Sequence, residues 1–498
     1  MLQRAGNPAW RHRCWALPAR NRSTRHGARR DRVTGSGTGA RMRHLHVVVL
    51  AAGQGTRMRS SSPKVLHAIA GRPMLEHVVS TAMGLNPAAV HVVFGHGGDE
   101  VRRRLSHLDV IWVEQARQLG TGHAVAQAMP AVPDEATVLV LYGDVPLIEL
   151  TTLADTVRRA EDGALAIISV HLDDPAGYGR ILRQADGRVI GIVEHKDANA
   201  AQLAIHEGNT GILAADAASL RGWLAGLGSD NAQGELYLTD VIAMAHGQGV
   251  PIDTVHPGQV AEVLGVNDRV QLAALERIYQ ARCTAALMRE GVSMADPARV
   301  DVRGRVRAGR DVWLDVNVVL EGEVELADGV RVGPNVLLRD CRIGADAQIL
   351  ANSVVEEAEV GAGARVGPFA RLRPGAVLGE SAHVGNFVEV KNTAMGRGSK
   401  ANHLSYLGDS EIGNDVNVGA GTITCNYDGA NKHRTVIGDG AFIGSGVELV
   451  APVTVHAGAT IGAGSTITSD APPEQLTLTR ARQTTIPHWR RPRKKPQS

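Results

Sequence analysis

Three stretches of this chain gather residue types able to handle charged groups. In VVVLAAGQGTRM, Val47 to Met58, a short apolar run ends in a small-residue turn with Gly53 and Gly55, followed by Arg57, and Lys64 stands in SPKVLH. Glycines after a strand let backbone N–H groups approach an anion closely, and Arg57 and Lys64 would add positive charge. The turn matches neither common phosphate loop. A dinucleotide fingerprint needs a third glycine where Met58 stands, and a Walker loop needs Gly-Lys-Ser/Thr where the chain has Gly55, Thr56 and Arg57. It reads as a phosphate cradle or as a plain turn between strand and helix. A second stretch, YGD at Tyr142, Gly143 and Asp144, puts an acid just past another apolar run. The third, VKNTAMGRGSKANHLSYLGDSEIG at 389–413, carries Lys391, Lys400, His403 and Tyr406. By itself a single loop histidine reads as solvated and the lysines as surface charge.

The elements that would hold these groups fall into two regimes. Residues 44–266 alternate strand-like and helix-like runs (HLHVVVL, MLEHVVSTAMGL, AVHVVFG, VRRRLSHL, DVIWVEQ, GTGHAVAQAM, ATVLVLYGDVPL), which predicts an α/β domain with a mainly parallel sheet. Ligands of such sheets sit at the carboxyl ends of strands, where the glycine turn and YGD both fall. From Asn267 to Gly291 the pattern becomes helical, with Asn267 placed as N-cap and Gly291 as C-cap. Such a helix, about 24 residues and about 36 Å long, suits a connector.

Beyond it, aliphatic residues recur every six positions: Val300, Val306, Val312, Val318, Val324, Val330 and Val336. After a slip through Ile343, Ile349 and Val355 the series resumes as Val354, Val360, Val366, Leu372, Leu378, Val384 and Val390. It returns later as Ile437, Ile443, Leu449, Val455, Ile461 and Ile467. Six is not a helical period. It fits short strands joined by tight bends, one aliphatic per flat face pointing inward, three faces to a coil and coils stacked into a prism. The aromatic content of 3% agrees, because a narrow prism has no room for large rings. The register breaks between Val390 and Ile412, and again at TCNYDGANKHRT, Thr424 to Thr435, a polar loop expected to project. Interruptions of a solenoid are where function usually resides.

Lys+Arg 53 against Asp+Glu 51 gives no argument for nucleic acid. Basic residues concentrate in 1–43 and in the tail HWRRPRKKPQS. Cys14, Cys283, Cys341 and Cys425 are widely spaced, which suggests neither a disulfide framework nor a zinc site and favours a reducing cytoplasm. No apolar run is long enough for a membrane span. Residues 1–41 lack an apolar signal region and have a disordered composition, so they are expected to be a dispensable extension or a mis-assigned start.

One set of motifs is far more specific than any of these. LAAGQGTRM, SPKVLH, QLGTGHA, LYGDVPL, GYGRI, IVEHKDA and NTGI, then GPFARLRPG, VGNFVEVKN, KANHLSYLGD, NVGAGTITCNYDG and FIGSG, run in order from about Arg43 to Arg493. Together they resemble the bacterial bifunctional N-acetylglucosamine-1-phosphate uridyltransferase/glucosamine-1-phosphate acetyltransferases. One departure is Gln54, where many members carry lysine. The resemblance implies a Rossmann-like uridyltransferase domain 42–266, a linker helix 267–291 and a left-handed parallel β-helix of hexapeptide repeats 292–483; the extension 1–41, expected from its composition to be disordered, lies outside it, and the basic tail is 484–498.

It also implies two sites. In the first, Leu50, Ala51, Ala52 and Gly53 line UTP, and Arg57 and Lys64 act on its phosphates. Gln115, Gly120 and Thr121 read uracil, Tyr142 and Gly143 close the strand end, and Gly179, Glu194 and Asn209 touch the sugar. Asp144 and Asn267 ligate Mg²⁺. In the second, His403 is the base, Arg373, Lys391, Tyr406 and Asn417 hold glucosamine 1-phosphate, and Ala420, Asn426, Tyr427, Ser445, Ala463 and Arg480 bind acetyl-CoA. The resemblance further implies a cytoplasmic homotrimer built through the β-helix. Two rivals stay open: a single-activity sugar-nucleotide transferase whose prism only oligomerises, and a non-catalytic regulator made of the same modules.

Overall fold

The structure is a computed structural model, and it describes residues 44–53, 55–95 and 97–494. The extension 1–41 and Gln54 lie outside the described residues. The chain divides between Ile278 and Tyr279 into two compact units.

In the first unit, His46–Leu50 reads as a strand buried on both faces, and Leu45–Ala51 is one, buried along its whole length. Val47, Val49 and Ala51 enter one core with Leu75, Val78 and Leu153, while Val48 and Leu50 enter another with Val125, Ala128 and Trp223. Helices Met74–Met83 and Leu150–Glu161 supply the first core, and helices Thr121–Ala128, Ala217–Ala225 and Asp240–Gly247 the second. A nine-stranded sheet therefore lies between two helical layers, as the strand–helix alternation predicts. Leu45–Ala51 sits inside the sheet, parallel to Ala89–Phe94 on one side and Thr137–Tyr142 on the other. Strand Glu207–Asp216 is antiparallel to both Thr137–Tyr142 and Leu165–His171, and it carries the hairpin Gly179–Arg183 and Val189–Val193. The register pairs Leu50 with Tyr142, so the glycine turn and YGD leave adjacent strands side by side.

The helix Arg269–Arg289 crosses the division between the units. Its N-cap is not Asn267, as expected from sequence, but Asp268, whose Oδ1 accepts the N–H groups of Val270 and Gln271, both at 2.9 Å. The neighbouring aspartate, a stronger acceptor, takes the cap, and the side chain of Asn267 is left for other work. At the other end Gly291 (φ +107) closes a Schellman motif: its N–H reaches Met288 O and that of Val292 reaches Leu287 O, both at 3.1 Å.

The second unit is a parallel β-helix. Strand pairs advance by one coil, Val300 on Val318, Leu337 on Val354 and Lys400 on Asn417, and by a longer step from Asn417 to Phe442 where the polar loop projects. Val300, Val312, Val318, Val330, Ile349, Val366, Leu372, Val384, Val390, Ile443, Leu449 and Val455 are all fully buried in one continuous core. Two details of the six-residue reading change. Val355 rather than Val354 points inward, so the slip lies between Val355 and Val360. Between Val390 and Ile412 the coils do not break: Met395, Ala401 and Leu407 take the inward places, residues that a search for Val and Ile passes over. The bends also recur about every six residues, each on a left-handed residue such as Asp311, Asn317 and Gly322, then Gly329, Asn335 and Asp340. Short polar residues and glycine tolerate that conformation best, which explains their abundance here. The open edge of the first coil is covered by Gln280, whose amide donates to Val302 O at 3.0 Å and accepts from Val302 N–H at 2.7 Å.

Candidate functional sites in the two units

In the first unit the glycine turn is shaped around Lys64. Gly55 has φ +62, and a Cβ there would lie 2.6 Å from Lys64 Cβ, so only glycine lets the two segments approach. Lys64 forms an ion pair with Asp144, and its Nζ lies 3.4 Å from Asn267 Oδ1. Asp144 is fixed by its backbone, which accepts from Val266 N–H at 2.9 Å, and Gly143 N–H is bonded to Leu50 O at 2.9 Å. Residues from three separate segments thus converge: a carboxylate and an amide oxygen around one ammonium. That donor pair fits a hard divalent cation whose other ligands are phosphate and water. Among the described residues no cluster of three or more His, Cys, Asp or Glu could hold a metal by itself. Arg57 follows on the exposed side of the turn, with Leu50, Ala51 and Ala52 buried beneath it and Gly53 exposed.

Gln115 is buried, and its Nε2 donates to Gly120 O at 3.1 Å and to His123 Nδ1 at 3.0 Å, which leaves the carbonyl end of the amide to accept from a ligand. Gly120 (φ +113) tolerates no side chain, since a Cβ would stand 2.6 Å from Leu236 O. Thr121 Oγ1 accepts from Leu238 N–H at 3.1 Å. Gln118 opens the QLGTGHA motif but carries no assigned role there; its Nε2 donates to Ala52 O at 2.9 Å and ties that segment to the glycine turn. Its sequence signal is its place at the head of that motif, two residues before Gly120.

Further along the cleft, the Tyr142 ring packs on Gly211 (φ +83), where a Cβ would meet the ring at 2.5 Å. Burial, with Glu194 and Asp144 nearby, pushes the Tyr142 phenol well above its usual range. Asn209 Oδ1 accepts Gly211 N–H at 3.1 Å and so sets that turn, and Asn209 pairs with Gly179 across the sheet. Glu194 accepts from Thr239 Oγ1 at 3.0 Å, and burial raises its carboxyl. Tyr142, Asn209, Gly211 and Thr239 wall a small cavity with Ile192 and Leu238.

In the second unit, His403 closes strand Lys400–His403 and is exposed; its Nδ1 donates to Asn386 Oδ1 at 2.8 Å. Arg373 donates to Glu389 Oε1 at 2.7 Å, and Tyr406 sits on the coil after Glu389. Lys391 lies beside Lys432, whose ammonium, with Arg373 also near, holds Lys391 below the usual lysine range. Two adjacent ammonium groups and a guanidinium make a site that an anion would neutralise. Lys432 was not singled out in the sequence; it comes from the projecting loop, which folds back through a bridge between Tyr427 and Lys432. Asp409 underpins the cluster: it is buried, takes bonds from Asn392 (2.5 Å) and Asn426, and is held low by them and by the two lysines despite its burial.

The remaining expected residues separate into two places. Ala420, Ser445 and Ala463 stack on successive coils, with Gly446 N–H on Ala420 O and Gly464 N–H on Ser445 O, both at 2.8 Å, and Arg480 donates to Ala463 O at 3.1 Å. Glycines make this edge narrow: a Cβ on Gly419 would come within 2.6 Å of Ser445 N, and one on Gly444 within 2.5 Å of Ala463 N. Asn417 lies on the coil after Lys400. Asn426, by contrast, is buried under the loop with its amide on Asp409, while Tyr427 is exposed on the loop with its hydroxyl on Gly429 O at 2.6 Å.

Residues 47–289 match the MobA-like NTP transferase domain family, and 434–469 match the bacterial transferase hexapeptide family. The chain is 57% identical over 451 residues to the bifunctional protein GlmU of Aromatoleum aromaticum, covering 91% of this chain and 99% of that protein. It is 58% identical over 448 residues to that of Methylococcus capsulatus (90% and 97% covered) and 59% over 452 residues to that of Alkalilimnicola ehrlichii (91% and 97% covered). With both modules present in one chain and relatives matched along nearly their whole length, this protein belongs to the GlmU family of bifunctional proteins.

Proposed function

We propose that the two units carry consecutive steps of UDP-N-acetylglucosamine synthesis. The second unit transfers acetyl from acetyl-CoA to glucosamine 1-phosphate. The first then transfers UMP from UTP to the resulting N-acetylglucosamine 1-phosphate and releases pyrophosphate. The single observation that carries the reading is that each unit has its own charged cluster: the Lys64–Asp144 ion pair with Asn267 in one, and the cationic group Arg373, Lys391 and Lys432 in the other.

Uridyl transfer needs positioning and charge neutralisation rather than a protein nucleophile. Leu50 to Gly53 offer backbone to the nucleotide, Arg57 and Lys64 meet the phosphates, and Gln115, Gly120 and Thr121 fix the base. Gly179, Glu194 and Asn209 hold the sugar phosphate so that its oxygen faces the α-phosphorus. Asp144 and Asn267 would hold Mg²⁺, which supplies charge neutralisation on the phosphates when bound. Acetyl transfer needs a neutral amine. His403 Nε2 takes the ammonium proton, while Arg373, Lys391, Tyr406 and Asn417 hold the sugar phosphate against it. Ala420, Ser445 and Ala463, with Arg480, Tyr427 and the backbone of Asn426, line the groove for acetyl-CoA.

The same reading makes the chain a cytoplasmic enzyme that forms a homotrimer through its β-helix, with the domain limits 42–266, 267–291 and 292–483. Among the described residues no helix is long and apolar enough to cross a membrane. The stacked, exposed pair Phe369 and Phe387, 5.3 Å apart, offers apolar surface for assembly.

Separable damage tests the proposal. His403→Ala should abolish acetyl transfer and spare UTP turnover, and Asp144→Ala should do the reverse. Loss of both activities in either folded variant would refute two independent sites.

A further inference from the structure

We propose that Asn386 is the positioning residue that makes His403 competent as a base, by fixing which ring nitrogen carries the proton. The inference rests on His403 being that base. The parallel ladder pairs Asn386 directly with His403 one coil later, so their side chains stand on the same face at strand spacing. Asn386 Oδ1 lies 2.8 Å from His403 Nδ1. A carboxamide oxygen only accepts, so Nδ1 must hold a hydrogen, and in the neutral ring the lone pair is then on Nε2. The backbone around the pair is equally fixed. Leu404 N–H bonds Asn386 O at 3.1 Å, Ser405 Oγ donates to His403 O at 2.9 Å, and Gly421 N–H reaches the same oxygen at 3.3 Å. Ring position and tautomer are both set before substrate arrives.

The chemistry needs this. Nε2 accepts a proton from the substrate ammonium, and the amine nitrogen bonds to the thioester carbon. That proton leaves to water; Nε2 then takes a second proton from the newly acylated nitrogen, the carbon–sulfur bond breaks, and the proton on Nε2 passes to the departing thiolate of coenzyme A. Throughout, the Nδ1 hydrogen stays on Asn386. With the opposite tautomer Nε2 would already carry a hydrogen and could accept none. An amide does this without adding charge; a carboxylate in its place would stabilise the imidazolium.

The test is the pH profile of acetyl transfer for Asn386→Ala and Asn386→Asp in the full chain, with uridyl transfer as the measure of intact folding. Asn386→Ala should lower kcat about tenfold or more, the size seen when an orienting partner of a histidine is lost. KM for glucosamine 1-phosphate should stay within about threefold. Asn386→Asp should recover most of kcat while moving the acidic limb of kcat/KM upward by about one pH unit or more. Wild-type kcat in Asn386→Ala, or an unmoved acidic limb in Asn386→Asp, overturns the inference. Full acetyl transfer in His403→Ala would instead overturn the reading of the base itself.

Discussion

Replacing Gly55 by alanine tests how closely the nucleotide turn depends on backbone geometry. The new Cβ would sit 2.6 Å from Lys64 Cβ, against 3.4–4 Å for ordinary contact, so one of the two segments must move by about 1 Å. The atom met is not the flexible end of the lysine but its root, and the residue also has φ +62, which costs a non-glycine residue about 1–2 kcal/mol. The ammonium of Lys64, now on Asp144 and near Asn267, moves with its root. A displacement of about 1 Å in a positioning group lowers rate about 100-fold, or about 2.7 kcal/mol of barrier. Pyrophosphate release from UTP and N-acetylglucosamine 1-phosphate measures this, with acetyl transfer by the same preparation as internal control. The expected result is a uridyl-transfer kcat/KM about 100-fold down and acetyl transfer unchanged. Uridyl transfer within about threefold of wild type would refute the claim that the turn is built around Lys64.

Lys432→Ala removes one of the two adjacent ammonium groups. It should raise KM for glucosamine 1-phosphate about tenfold, as measured by acetyl-transfer kinetics, and leave UTP turnover untouched; an unchanged KM would detach Lys432 from the phosphate site. His91, fully buried and bonded at 3.1 Å to His46, is pushed down to about 4 by burial and by His46. Its folded value lies below the unfolded one, so its contribution is intact above about pH 6.5 and is lost as pH falls from there toward 4, on the order of 3 kcal/mol in all. Thermal melts across that range should show a smaller acid loss in His91→Leu than in wild type; equal losses would contradict it.

Much of the architecture was legible because it is periodic. The six-residue aliphatic series located the inward face of the β-helix, and strand–helix alternation located the sheet. It misled at Val354, whose neighbour Val355 takes the inward place, and where small or flexible side chains replaced the branched ones, at Ala401 and Met395, which fill the same narrow core without the pattern. The cap of the long helix went to Asp268 instead of Asn267 because adjacent polar residues compete for the same N–H groups, and spacing does not rank them.

The sites divide along the same line. Residues inside motifs, such as Lys64, Asp144 and His403, could be singled out in the sequence. Their partners Gln118, Asn386 and Lys432 stand in the same quoted stretches, but nothing there marks what they meet: Ala52, His403 and Lys391 reach them by tertiary approach or by a loop folding back. Asn426 shows the converse. Its motif marks it for the ligand, but its amide is on buried Asp409, where it supports the loop that presents Lys432.

The most direct test of two linked activities on one chain is a product assay with reagents omitted in turn. Purified protein with glucosamine 1-phosphate, acetyl-CoA, UTP and Mg²⁺ should form UDP-N-acetylglucosamine and pyrophosphate. Without UTP it should stop at N-acetylglucosamine 1-phosphate, and without acetyl-CoA it should release no pyrophosphate until that acetylated sugar phosphate is added. Pyrophosphate release from glucosamine 1-phosphate and UTP at the full rate without acetyl-CoA, or no acetylated sugar phosphate in the absence of UTP, would contradict the account.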